Sequence, residues 1–422
     1  MYDPRDETQQ PIVIGEEGVI ISEVVAAQPR PTPTSIPDRL PGVDFDAELA
    51  TEGVGILDIR SVYDLDGVAS VDIAAIANPV LTPPSQRPAR FLRIEKAVSL
   101  PDEDVRDFTG SAFGVTAAFG MRELLGYVMV EPDGSVRTKV PANVPFAITV
   151  LDANGRRIGP RHNNWLQVRP GEELRCNGCH DPGSGLSHGR SDLFDAVNDG
   201  ATTTGQPFPN TNPAFFADVG ETMAEVRARI SCQTDCAALM PRLDIMFEDV
   251  WTDPVAANRA PDASFAWRYA DLQTPAPTTA DCMTGWRAGC RATIHYEPHI
   301  HPLWSKPRIT LAADGVTVLV DDTCTTCHAG AAAAMGLDLA DGASAAEPEH
   351  FNAYRELLAT DEGQPEPVMF AGRAEDSVRF FTLFAPGGTH SGRLTAAELK
   401  LVSEWLDLGA QYFNDPFVAP LD

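Results

Sequence analysis

Alternating apolar and polar positions dominate the first half of the chain, and helical spacing gathers near its end. Gly55-Ile56-Leu57-Asp58-Ile59-Arg60-Ser61-Val62-Tyr63 repeats with period two, and so does Phe91-Leu92-Arg93-Ile94. Each reads as a strand. The pattern is clearest over 124–168. Leu125 to Val130 is a strand, Glu131-Pro132-Asp133-Gly134 turns it, and Ser135 to Val140 returns. Phe146 to Leu151 is another strand, stopped by Asp152-Ala153-Asn154-Gly155, and Trp165 to Val168 continues the series. Near the start, Ile12-Val13-Ile14 and Val19-Ile20-Ile21 flank Gly15-Glu16-Glu17-Gly18 as a hairpin over 11–25. Two strands alone are marginal, so this hairpin is expected to belong to a sheet outside the chain. A Pro-rich stretch from Pro29 to Pro41 reads as an extended linker.

Residues 181–275 carry few periodic stretches; Glu221 to Ile230 is the helical one. From His299 the character changes. Ile300, Leu303 and Trp304 sit at helical spacing. Thr395-x-x-Glu398 is a capping box opening a helix with Leu399, Val402, Leu406 and Gly409 on one face and Trp405 beside them. The fold class that follows is multidomain α+β. Residues 1–45 form a hairpin and linker, 46–298 a β-rich domain with a long loop-rich excursion, and 299–422 a small, mostly α domain.

Two five-residue stretches carry the chemistry: Cys176-Asn177-Gly178-Cys179-His180 and Cys324-Thr325-Thr326-Cys327-His328. Both read C-x-x-C-H, the attachment signature of c-type haem. Two thiols three positions apart can add to the two vinyl groups of one haem, and the adjacent imidazole falls beneath the iron as proximal ligand. Zinc half-sites or disulfide loops are the bland alternative; they leave unexplained a His after both pairs. The expected cofactors are therefore two covalently attached haem c, with His180 and His328 as proximal iron ligands. The first motif ends a β-domain. The second lies between an opening and a closing helix, the plan of a single-haem cytochrome c domain.

Distal ligands follow from position. His390, in Gly387-Gly388-Thr389-His390-Ser391-Gly392, stands just before the closing helix, with Met369 as its alternative. The glycines around it let the backbone approach the ring. For the first haem, His188 lies eight residues past His180; His162, His299, His301 or an open iron are the alternatives. His295 and His350 read as surface residues.

Composition narrows the partners. Lys+Arg 32 against Asp+Glu 60 gives a net charge of −28, which repels nucleic acid and anionic lipid and suits a basic redox partner. Pro is abundant, 35 of 422 residues, which disfavours long helices. Of the eight Cys, four stand outside the motifs: Cys232, Cys236, Cys282 and Cys290. They are expected as two disulfides that pin the excursion, with three connectivities open; free thiols or a metal site are the alternative. Met1-Tyr2-Asp3-Pro4-Arg5-Asp6-Glu7 has no signal-peptide character, and no stretch approaches a membrane span. Covalent haem attachment in bacteria takes place outside the cytoplasm. The expected location is thus periplasmic or extracellular, with the chain a mature protein or a piece of a longer one.

Several stretches resemble the hydrazine synthase alpha-subunit-like family: Val140-Pro141-Ala142-Asn143-Val144-Pro145, Leu151 to Gly155, Val168-Arg169-Pro170-Gly171-Glu172 and the first motif. Phe247 to Trp251, Tyr296 to Trp304 and Leu394 to Phe417 fit the same pattern. The resemblance implies a preceding β-propeller, export and further subunits. It also implies an unusual tyrosine ligand four residues after the motif His, where this chain has Ser184. Architecture and haem attachment therefore carry over, and the hydrazine reaction does not. Two functions remain. One is a di-haem c-type cytochrome transferring electrons. The other is a haem oxidoreductase whose open first haem acts on a small nitrogen or oxygen compound.

Overall fold

The computed structural model of the chain describes residues 1–422 except Met1, Pro4, Gln10, Ile12, 21–37, Asn163, Pro182, 184–194, Glu362 and Gly363. It divides into two units, Met1–Arg39 and Leu40–Asp422. In the first, Tyr2–Asp3 (β1) pairs antiparallel with Thr8–Gln9 (β2). Of the hairpin expected over 11–25, the described residues contain the turn, closed by Val19 N–H on the Glu16 carbonyl at 3.1 Å. Ile12 and 21–25 lie outside the described residues.

The second unit begins with a short helix, Ala47–Glu52 (α1). Asp46 caps it by accepting from the Glu48 and Leu49 amides, and Gly53 ends it at φ 73°. Val54–Ile59 (β3) follows, buried along its length. Asp64–Leu65 (β4) and Val68–Ala69 (β5) form a minimal hairpin around Asp66-Gly67. Both turn residues have positive φ, 51° and 85°, the type I′ geometry that Asp-Gly favours. After Ile73–Ala77 (α2) come Phe91–Ala97 (β6), Arg122–Met129 (β7), Val136–Pro141 (β8), Phe146–Leu151 (β9) and Glu173–Cys176 (β10).

These strands make two sheets. One is ordered β10-β3-β8, with β10 parallel and β8 antiparallel to β3; the other is β7-β6-β9, antiparallel throughout. The expected strand at Trp165–Val168 reduces to one bridge between Leu166 and Phe146. The segment leaves β9 because buried Val168 packs over Gly55 of β3, where a Cβ would lie 2.8 Å from its Cγ2.

Period-two alternation then decides the layering. Leu57 and Ile59 of β3 meet Leu92 and Ile94 of β6 in a core between the two sheets. Ile56 points the other way, to Ala228 and Leu239. On β6 the opposite positions, Phe91, Arg93 and Glu95, are also buried. They face a second core made largely by the C-terminal third of the chain.

The excursion is more structured than its composition suggests. Gln206–Pro207 (β11) pairs with Phe216–Ala217 (β12). Met223–Ser231 (α3) is the helix expected at 221–230, with a complete capping box from Thr222 and Glu225. Ile245–Phe247 (β13) pairs with Phe265–Trp267 (β14), and Ala280–Thr284 (α4) follows. The four spare cysteines form two bridges, Cys232–Cys236 and Cys282–Cys290. Partners lie only 4 and 8 residues apart, so they clip local loops and do not pin the excursion to its surroundings.

Past a wide π-type turn at Tyr296–Ile300 come Pro302–Ser305 (α5), the hairpin Ile309–Leu311 (β15) and Val318–Asp321 (β16), and Cys324–Cys327 (α6). Asn352–Leu358 (α7), Val378–Phe384 (α8) and Ala396–Leu408 (α9) complete the chain. No helix among the described residues is long and apolar enough to cross a membrane.

Helix α9 opens with the expected capping box, in which Thr395 and Glu398 each satisfy the other's backbone amide. It is not amphipathic in its setting. Lys400, Ser403, Glu404 and Asp407 are buried together with Leu401, Val402, Trp405 and Leu406. Each buried charge has a partner. Asp407 binds Arg93 of β6 at 3.0 Å and accepts from the Ala374 amide. Glu404 accepts from the hydroxyls of Tyr127 and Tyr269 at 2.6 and 2.8 Å and pairs with Lys400 at 2.5 Å. Glu398 holds Lys306 and Arg308 at 2.8 and 3.1 Å, tying the helix to the segment that follows α5. Burial works against the Arg93 charge, but Glu95 and Asp407 outweigh it and raise its pKa.

Two expectations about stability follow. Asp407→Ala leaves the Arg93 guanidinium in the core with Glu95 alone. Removing one partner of a buried pair costs about 3–5 kcal/mol, and denaturant unfolding should show a loss at the lower end of that range. The second concerns His299, which burial lowers to about 4 while its Nδ1 accepts from the His295 amide at 3.0 Å. A depressed folded-state pKa means the unfolded chain binds more protons between pH 6.5 and 4. The stability from neutral His299 is therefore complete above pH 6.5 and lost as pH falls toward 4. The unfolding midpoint should drop through that window, and His299→Gln should flatten the drop.

Candidate functional site

The first motif is laid along residues 59–66 by a run of backbone hydrogen bonds. Strand β10 pairs parallel with β3 up to Cys176 opposite Ile59. Beyond the sheet, the Arg60 amide donates to the Cys176 carbonyl at 2.9 Å and the Ser61 amide to Asn177 at 3.1 Å. The Cys179 amide donates to Asp64, and the Asp66 amide returns a bond to Cys179, at 2.8 and 3.1 Å. Gly178 is required by this close pass: a Cβ there would lie 2.3 Å from the Asp64 carbonyl oxygen and 2.8 Å from that of Ser61.

The β4–β5 turn then meets the histidine. Asp66 Oδ2 lies 2.9 Å from His180 Nδ1 and also accepts from the Asp181 amide at 2.9 Å. The Asp66 carboxylate is buried, whereas a quarter of the His180 side chain is exposed. Burial raises the free thiols of Cys176 and Cys179, to about 11 and about 12, so both are neutral in the folded chain. Asp66 is the neighbour of His180 that the motif itself does not reveal. Its signal is an Asp-Gly pair between Leu65 and Val68, a favoured type I′ turn sequence.

The second motif is built differently. Cys324–Cys327 forms a single helical turn, closed by the His328 amide on the Cys324 carbonyl at 2.9 Å. Residues three apart on such a turn share a face; Cys324 packs against the core, and Cys327 is exposed. Asp321 steadies the turn by accepting from the Thr323 amide at 2.9 Å and the Thr326 hydroxyl at 3.1 Å. Across from it, the His328 and His390 rings stand 6.2 Å apart between centroids, inclined by 30°. His390 Nδ1 is engaged by the Thr389 hydroxyl at 2.9 Å, and Phe384 lies 5.6 Å from the ring. Burial, then Arg393 and His328, lower the His390 pKa, favouring neutral imidazole. His328 Nδ1 is enclosed and has no hydrogen-bond partner.

The glycines near His390 act through the chain path. Gly387 and Gly392 turn at φ 85° and 81°. Gly388 packs on the end of α8, where a Cβ would meet the Leu383 carbonyl at 2.3 Å. Beside the motif, the β15–β16 hairpin exposes Ile309, Leu311, Val318, Leu319 and Val320.

The remaining candidates separate cleanly. His188 and Ser184 lie outside the described residues. Met369 is fully buried in the core. His301 pairs with Asp341 through Nε2 at 2.7 Å. His295 and His350, expected at the surface, are buried at 8% and 2% exposure. His295 accepts from the Asn414 amide, and His350 bonds the Ser111 carbonyl through Nε2 and sits 4.5 Å from the Tyr412 ring. An imidazole that finds a backbone partner and aromatic walls loses little on leaving water, and single-residue polarity does not reveal that. No cluster of three or more His, Cys, Asp or Glu able to hold a bare metal ion occurs among the described residues.

Comparison with known proteins adds a family likeness. Residues 90–181 match the hydrazine synthase alpha subunit middle domain, a segment that runs from β6 through His180. Hydrazine synthase subunit alpha of Kuenenia stuttgartiensis is 36% identical over 63 residues, covering 15% of this chain and 8% of that subunit. A solved structure of Kuenenia stuttgartiensis hydrazine synthase aligns with 88% of this chain and 44% of its own, at 16% identity and a TM-score of 0.45. The chain thus spans less than half of the relatives it matches.

Gly178→Ala tests the stitched path of the first motif. The added methyl must push the segment off the Asp64 and Ser61 carbonyls. Amide hydrogen exchange at Cys179 and Asp66 should accelerate at least tenfold, roughly 1.4 kcal/mol of local opening free energy, while the β6–β9 amides keep their protection.

Proposed function

We propose that this hydrazine synthase alpha-subunit-like chain is an exported di-haem c-type cytochrome that relays electrons. One haem would be attached at Cys176 and Cys179 with His180 as axial ligand, the other at Cys324 and Cys327 between His328 and His390. The observation that carries the reading is the 6.2 Å separation of the His328 and His390 rings. An imidazole–metal bond is about 2 Å long and the ring centroid stands about 1 Å behind the nitrogen. Two imidazoles sharing one iron should therefore have centroids about 6 Å apart. These two rings belong to residues 62 positions apart, and they keep that distance without touching.

The surroundings fit the same group. Cys324 and Cys327 share one face of a helical turn, and the exposed apolar side chains of the β15–β16 hairpin adjoin the motif. An apolar rim of that kind suits a porphyrin edge better than it suits water. Bound haem supplies one-electron exchange. At the second motif His328 and His390 would both hold the iron through nitrogen. That would leave no coordination site for a substrate and would stabilise ferric iron more than a thioether ligand does. The Thr389 hydroxyl engages His390 Nδ1 at 2.9 Å and would leave Nε2 for the iron. The acidic surface, net −28, suits a basic electron donor or acceptor.

The test is direct. Intact mass and a pyridine haemochrome assay on exported protein should give two haems per chain; one or none ends the reading. His390→Met should raise the potential of one haem, and His390→Ala should open that haem to carbon monoxide. A low-spin spectrum that His390→Ala leaves untouched would remove His390 as the ligand.

A further inference from the structure

The two histidines that follow the C-x-x-C pairs have different partners at Nδ1. That of His328 is enclosed without a hydrogen-bond partner. That of His180 lies 2.9 Å from the carboxylate of Asp66. This carboxylate is held from three directions. The type I′ turn sets its backbone, with Asp66 at φ 51°. Its amide is bonded to the Cys179 carbonyl within the motif itself. Its Oδ2 also takes the Asp181 amide at 2.9 Å. The aspartate and the histidine are thus referenced to the same few backbone atoms, and neither can shift without the other.

A hydrogen bond to a carboxylate decides which ring nitrogen carries the proton and makes the other a stronger donor. With haem at the first motif, as proposed above, we infer that Asp66 is a positioning residue for its iron. Asp66 holds the proton of His180 on Nδ1, presents Nε2 as the ligating nitrogen, and gives that nitrogen partial imidazolate character. The first haem is thereby biased toward the ferric state by a device that the second lacks. The chain carries two centres of unlike electron demand, and the difference originates in one turn residue outside the segment 90–181 that matches the family.

The test uses the full chain matured with haem. Asp66→Asn keeps the turn, because Asn tolerates positive φ as well as Asp does. It can still accept from His180, but without the charge. The expected result is two haems per chain, an upward shift in the midpoint potential of one of them, and a lower iron–imidazole stretching frequency in resonance Raman spectra. The haem whose potential His390→Met moves is the second, so the shift must fall on the other. Asp181→Asn is the control: it removes the same charge one residue from His180 without touching the Nδ1 bond, and should move neither potential nor stretch. Unchanged potential and stretch in a two-haem Asp66→Asn protein overturn the inference, as does an equal shift from Asp181→Asn. Wild-type protein with fewer than two haems overturns the reading beneath it instead.

Discussion

A charge placed in an apolar interior must find its opposite or leave, and this fold is assembled around that constraint. Arg93 of β6 and Asp407 of α9 meet at 3.0 Å with exposures near zero. Glu95, Glu404 and Lys400 extend the pairing, and the hydroxyls of Tyr127 and Tyr269 close it. Hydrophobic burial alone would let α9 rotate or slide on the β7-β6-β9 sheet at little cost. The ionic contacts fix its register and direction. The same helix reaches through Glu398 to Lys306 and Arg308, and so sets the frame within which the second motif and the loop of His390 are held.

The two C-x-x-C-H motifs are held in the fold by different means. The second uses a helical turn for its cysteines and a distant loop for the facing histidine. The first has no helix. Cys176 ends β10 and Cys179 lies on the irregular extension beyond it, kept in shape by carbonyl and amide groups of residues 60–66. Gly178 is the sole residue type that allows the two stretches to run so close. The hairpin of β4 and β5 has little hydrophobic reason to exist. It brings Asp66 to 2.9 Å from His180.

Much of this was legible from the residues, where period and chemistry agree. The strands at 91–94, 125–130, 135–140 and 146–151 announced themselves by alternation, and α9 by its capping box and apolar spacing. The two C-x-x-C-H stretches and the position of His390 were equally plain. What was hidden depends on partners far along the chain. Lys400, Glu404 and Asp407 look like a solvated face until β6 and β7 supply their counter-charges. His295 and His350 look superficial until Asn414, Ser111 and Tyr412 surround them. Asp66 stands in an Asp-Gly pair that favours a turn, but nothing local marks it as a neighbour of His180, since 114 residues separate them. The short reach of both disulfides was likewise invisible, because cysteine counting leaves every connectivity open.

The parallel pairing of β10 with β3 has a consequence for the order of events in the life of the chain. Glu173 meets Ile56 across a long intervening stretch, and non-local parallel pairings form late in folding. Until they form, Cys176 and Cys179 are ordinary solvated thiols. Once they form, burial raises the pKa of both thiols, which lowers the fraction of reactive thiolate. Any covalent chemistry at the first motif would therefore meet more reactive thiols before β10 docks than after it.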